Sequence, residues 1–78
     1  MGTTTEVVAK LRNGESVRFF NKESKQFIQF QLNKKASNVC WCMYASKDKN
    51  DWRLRCETVS LKDILAYREK LIIQRIKA

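Results

Sequence analysis

Apolar and polar positions alternate with a period of two through three stretches of this chain. Over 26–32, Ile28, Phe30 and Leu32 fall on one face, and Phe27, Gln29 and Gln31 on the other. Over 39–45, Val39, Trp41, Met43 and Ala45 take one face, and Cys40, Cys42 and Tyr44 the other. Over 52–58, Trp52, Leu54, Cys56 and Thr58 share a face, opposite Arg53, Arg55 and Glu57. Such alternation is the mark of strands buried on one side only. Two further strands are predicted, over 5–12 and 16–20. Asn13-Gly14 between them suits a tight hairpin turn, in which both central residues need positive φ.

The period changes after Ser60. Leu61, Ile64, Leu65, Leu71, Ile72 and Ile76 fall within roughly 140° of arc at about 100° per residue, with Lys62, Arg68, Glu69, Lys70 and Arg75 elsewhere. Tyr67 and Ile73 flank that stripe on opposite sides. Ser60 suits a helix N-cap, and Asp63 puts a carboxylate in the first turn. The predicted fold is α+β over 1–78 as a single domain. An antiparallel meander of four to five strands spans 5–59, and one C-terminal helix, 61–77, packs on one face. The predicted register sets Leu32 opposite Val39, Phe30 opposite Trp41 and Phe27 opposite Tyr44. In the next hairpin Tyr44 faces Arg53, and Cys42 faces Arg55. A one-residue slip would exchange both faces. The predicted core holds Phe30, Trp41, Leu54, Ile64, Leu65 and Ile72, with Trp52 on the same side. The first strand fits least well, because it turns Val7, Ala9 and Leu11 away from the helix, so that this edge either twists away or is covered by a partner. This order of strands followed by a helix resembles, in architecture alone, the single-strand-binding repeats of Whirly and positive-cofactor-type transcription proteins. It is also similar to the small sheet-plus-helix domains at the N-termini of some phage-type integrases.

Composition narrows the chemistry. The chain has 78 residues and a formal charge of +8. A domain this short buries only roughly 60% of its unfolded surface, and such a charge favours polyanionic partners. No apolar run approaches the roughly 20 residues of a membrane span, and the N-terminus lacks a secretion-signal pattern. The expectation is a cytoplasmic, reducing location with no membrane partner. The three cysteines and the absence of histidine point to free thiols, no metal and no cofactor. With no histidine, two glycines and scattered carboxylates, the chain lacks the groups of general-base, phosphate-loop or metal catalysis, so it is not expected to be an enzyme.

The outward sheet face carries the candidate chemistry. Phe27 and Tyr44 offer stacking surfaces worth about 1–3 kcal/mol per base. Arg18, Arg53 and Arg55 supply charge, Gln29 and Gln31 hydrogen-bonding groups, and Lys34, Lys35, Lys47 and Lys49 a cationic rim, with Lys22 and Lys25 nearby. The expected function is binding of nucleic acid, DNA or RNA, single-stranded or duplex. A homodimer is expected through Tyr67, Leu71 and Ile73. The alternative is a small phage- or mobile-element-type accessory or inhibitor protein that docks on an acidic protein. The plainest reading of the same face is a solvated surface on which Phe27 and Tyr44 form an ordinary cross-strand pair.

Overall fold

The chain begins with a helix where alternation predicted a strand. The computed structural model describes the backbone of residues 4–33 and 39–77, and their side chains up to Ile72. Helix α1 runs over Thr4–Arg12, with Glu6 in its first turn and Lys10 and Arg12 in its last, each charge opposing the helix dipole. It buries Val7 and Leu11. Residues i and i+4 share a face under either period, so these two apolar positions fit a strand and a helix equally. Only the helix carries them inward. Asn13-Gly14 ends it: Gly14 adopts φ +83°, the Gly14 N–H donates to the Leu11 carbonyl at 3.2 Å, and the Glu15 N–H to the Lys10 carbonyl at 2.9 Å. This is a Schellman cap. The positive φ that suits a hairpin turn also suits a helix end.

Four strands follow: β1 (Val17–Asn21), β2 (Gln26–Asn33), β3 (Cys40–Ser46) and β4 (Arg53–Val59), then helix α2 (Leu61–Lys77). They form an antiparallel meander in the order β1-β2-β3-β4. The fold is α+β with four strands and two helices, and the N-terminal helix distinguishes it from the strands-then-helix architecture of the sequence-based reading. The Ser60 hydroxyl accepts from the Asp63 N–H at 3.1 Å, and Asp63 accepts from the Ser60 N–H at 3.4 Å. That reciprocal cap starts α2 where the sequence placed it.

The two later ladders depart from the predicted registers in different ways. Between β2 and β3, Phe30 lies opposite Met43, Leu32 opposite Trp41, and Gln29 opposite Tyr44. This is a two-residue shift from the prediction. It leaves every side chain on its expected face, so alternation alone does not distinguish the two registers. Between β3 and β4, Ala45 faces Arg53, Tyr44 faces Leu54, Met43 faces Cys56 and Trp41 faces Val59, with two register shifts along the way. Here the slip at the start of β4 is one residue. Arg53 therefore shares the side of buried Ala45, and Leu54 shares the side of Tyr44. Leu54 is 46% exposed and not core, and 53–58 are exposed throughout. Extra residues on the bulged strand account for the shifts.

The core joins both helices to one set of strand residues. Leu11, Ile64 and Phe30 are its most buried large side chains, with Val7, Val17, Ile28, Trp41, Ala45 and Val59 around them. Phe30 meets Phe19 edge-on at 6.0 Å and Tyr67 at 5.9 Å between ring centres. Of the expected core, Phe30, Trp41 and Ile64 are buried. Leu65 and Ile72 are half-buried, while Leu71 on the same helix is buried. The indole N–H of Trp41 donates to the Leu11 carbonyl at 3.2 Å, so a buried polar atom ties the sheet to the end of α1.

Leu11→Ala is expected to cost about 2–5 kcal/mol in urea unfolding. A cost near zero would mean that Leu11 is not in the core. Gly14→Ala is expected to cost about 1–2 kcal/mol through its positive φ.

Candidate functional site

The site is built on the side chains that alternate with the core set. On β1 these are Arg18 and Phe20, paired with Gln29 and Phe27 of β2. Gln31 continues the row, and Tyr44 and Leu54 oppose one another across β3 and β4. Hydrogen bonds run along this face. The Arg18 Nε donates to Gln29 Oε1 at 2.6 Å, and the Gln29 amide nitrogen donates to Gln31 Oε1 at 3.3 Å. Phe20 and Phe27 pack with ring centres 5.1 Å apart and planes tilted by 57°. Phe20 is 40% exposed.

The β3–β4 loop brings in a residue that alternation assigned to the core side. The Ser46 hydroxyl accepts from the Asp48 and Lys49 N–H groups at 3.3 and 2.9 Å. Asp48 in turn accepts from the Asn50 and Asp51 N–H groups at 2.9 and 3.1 Å. Those two backbone donors, with the Ser46 hydroxyl, hold the Asp48 carboxyl below the usual aspartate range. Lys49 takes a left-handed φ of 67°, and its carbonyl accepts from the Trp52 indole N–H at 3.0 Å. The loop thereby places Trp52 4.9 Å from the guanidinium of Arg18, and the Lys49 ammonium 4.6 Å from the ring centre of Phe27. Two aromatic faces are thus each met by a cation within the range of a cation–π contact.

The expected site residues divide accordingly. Arg18, Phe27, Gln29, Gln31 and Tyr44 lie on one face. Arg53 falls on the other side of its strand and is held by Asp51 at 3.5 Å, both side chains being widely exposed. Arg55 is exposed on β4 between the paired Leu54 and Cys56. The expected patch of Arg53 and Arg55 beside Tyr44 and Cys42 does not form. Leu54 stands beside Tyr44 instead. Lys22, Lys25 and Lys47 are exposed in the hairpin loops, and Lys34 and Lys35 lie outside the described residues. Sequence reasoning missed Phe20 and Trp52. Phe20 was legible, being two residues from Arg18. Trp52 was not, because the loop preceding it sets its direction.

The expected dimer residues are placed within the chain. The Tyr67 ring meets Phe30, and its hydroxyl accepts from the Asn21 amide at 2.7 Å. Leu71 is 5% exposed, and the Ile73 side chain lies outside the described residues. The three cysteines are free. Cys42 donates to the Glu57 carbonyl at 3.5 Å. Burial, then the neighbouring Cys40 and Glu57, push its thiol pKa up. Among the described residues, no group of three or more cysteine or carboxylate side chains is placed to hold a metal ion. No helix among them is long and apolar enough to cross a membrane.

No family model matches the chain, and neither a curated protein nor a solved structure matches it.

Alkylation followed by mass spectrometry tests the thiol environment. The exposed Cys56 is expected to react before Cys42, whose raised pKa keeps it protonated to higher pH. The Cys42 rate should keep rising as pH passes its raised pKa. Labelling of Cys42 first at neutral pH would contradict this placement.

Proposed function

We propose that this protein binds single-stranded nucleic acid on the sheet face that carries Arg18, Phe20, Phe27, Gln29, Tyr44 and Trp52, with both helices packed on the other face. One observation supports this most directly: two ring faces on one surface, Trp52 and Phe27, are each met by a cation, Arg18 and Lys49. An unpaired base stacks on such a ring, and the displaced cation is left beside the phosphate it would neutralise. Gln29 and Gln31 lie between as amide groups that can donate to or accept from a base edge. The formal charge of +8 adds a long-range attraction that is independent of sequence.

Aromatic rings separate this reading from docking on an acidic protein through the same face. Carboxylates would use Arg18 and Lys49 but would leave Trp52, Phe27 and Phe20 without a role. A flat platform of separate rings also favours unstacked bases over a duplex, whose bases are already stacked on one another. Tyr67 and Leu71 are engaged inside the chain, and one chain carries every residue of the proposed face. The protein acts by binding rather than catalysis, with its thiols reduced.

Fluorescence anisotropy with a labelled oligothymidine at two salt concentrations tests the proposal. Trp52→Ala is expected to weaken binding by about 1–3 kcal/mol with little change in salt slope. Arg18→Ala should reduce the slope by about 0.7 per lost phosphate contact. Arg53→Ala should matter least. Wild-type affinity in a folded Arg18→Ala/Trp52→Ala double variant would exclude this face.

A further inference from the structure

The β3–β4 ladder bulges toward the end of β4 that is remote from Trp52. Trp41 pairs with Val59 and Met43 with Cys56, so Glu57 and Thr58 stand against Cys42 alone. A bulge re-aims a side chain, and bulges are over-represented beside active sites. Here the re-aimed residue is Glu57. Its carbonyl accepts from the Asn33 side-chain amide at 2.9 Å and from the Cys42 thiol at 3.5 Å. Side chains of two other strands therefore hold that stretch of backbone. Burial, then Cys40 and then the Glu57 carboxylate raise the Cys42 pKa, which sets the carboxylate on the thiol's side of the sheet.

An open depression of about 630 Å³ lies there, with Gln31, Cys42, Tyr44, Leu54 and Glu57 in its lining. It continues the face proposed for nucleic acid, since Gln31 and Tyr44 belong to both. A chain of hydrogen bonds leads into it, and that chain has a fixed sense. Arg18 can only donate, so Gln29 accepts from it with Oε1 and donates with Nε2 to Gln31 Oε1. The Gln31 Nε2 group is left to donate within the depression. Glu57 offers the opposite chemistry, a carboxylate that accepts through two oxygens. Among the described residues no ion pair engages it. On a face that attracts phosphate, a carboxylate is repulsive unless it meets N–H donors.

We infer that this depression holds one base of the bound strand and selects guanine through Glu57 and Gln31, an assignment that rests on single-strand binding at the adjoining face. The Watson–Crick edge of guanine carries two adjacent donors, N1–H and N2–H, and one acceptor, O6. The two carboxylate oxygens match the donors, and the Gln31 amide nitrogen matches O6. The other bases fit less well. Adenine and cytosine each set a ring-nitrogen acceptor beside one amino group, and thymine flanks its one N–H with two carbonyls. Each turns a lone pair toward the carboxylate, which adds repulsion to the lost hydrogen bond. Tyr44 and Leu54, opposed across β3 and β4, give the base an aromatic and an aliphatic surface to lie against.

The test is fluorescence anisotropy of the full chain with labelled oligothymidine and with the same oligomer carrying one central dG, dA, dC or deoxyinosine. The dG oligomer is expected to bind about tenfold more tightly than oligothymidine. Deoxyinosine lacks the N2 amino group and should lose most of that gain, a result that does not depend on any protein variant folding. Glu57→Gln, at an exposed position, should remove the preference for dG while leaving oligothymidine binding as it was. Equal binding of all the oligomers, a preference for dA or dC, full affinity for deoxyinosine, or a dG preference that survives Glu57→Gln would each overturn the inference and leave single-strand binding standing. Failure of every oligomer to bind, oligothymidine included, would overturn both readings.

Discussion

The end of helix α1 is the point on which the rest of the structure depends. The Leu11 side chain is fully buried. Its carbonyl accepts both the Gly14 N–H that caps the helix and the indole N–H of Trp41 from the sheet. A carbonyl has two lone pairs, and both are used here. Trp41 could not be buried at 3% exposure without a partner for its N–H, since leaving that donor unpaired would cost about 1–3 kcal/mol. The contact commits the Trp41 side of β3 to the core. It also fixes where the chain leaves α1, and hence where β1 begins beside β2.

Register then decides the chemistry of the opposite side. A ladder shifted by two residues keeps its faces, and a ladder shifted by one exchanges them. The β2–β3 hairpin made the first kind of change and kept Phe27, Gln29, Gln31 and Tyr44 together. The β3–β4 hairpin made the second kind near its loop, which turned Arg53 away and brought Leu54 beside Tyr44. The cationic and aromatic centre therefore sits toward β1 and β2, around Arg18 and Phe27, instead of on β4. The bulges that moved it also make β4 a poor template for another strand, while β1 keeps a regular edge.

The contacts on the open face are weak enough to be exchanged. An exposed cation–π pair is worth about 0.5–1 kcal/mol, less than the roughly 1–3 kcal/mol of a base stacked on a ring. Arg18 over Trp52 and Lys49 over Phe27 keep the rings ordered without closing them off. The loop that carries Lys49 and Trp52 is held by backbone donors to Ser46 and Asp48, which keeps the Trp52 ring beside Arg18.

Local chemistry was strong enough to be read directly in several places. The alternation of 26–32 and 39–45 determined which side chains share a face, because a strand has a fixed period of two. Ser60 and Asp63 determined where α2 starts, because a capping pair acts within one turn. The basic charge and lack of histidine are matters of composition alone. Tertiary structure decided what those rules leave degenerate. Val7 and Leu11 satisfy both periods, and a left-handed glycine both turns a hairpin and ends a helix, so only the Trp41 indole and the core made 4–12 a helix. The bulges in β4 arose from pairing with β3, and the direction of Trp52 from a loop held by its own backbone. These outcomes depend on contacts between residues far apart in the chain, whose energies no local pattern contains.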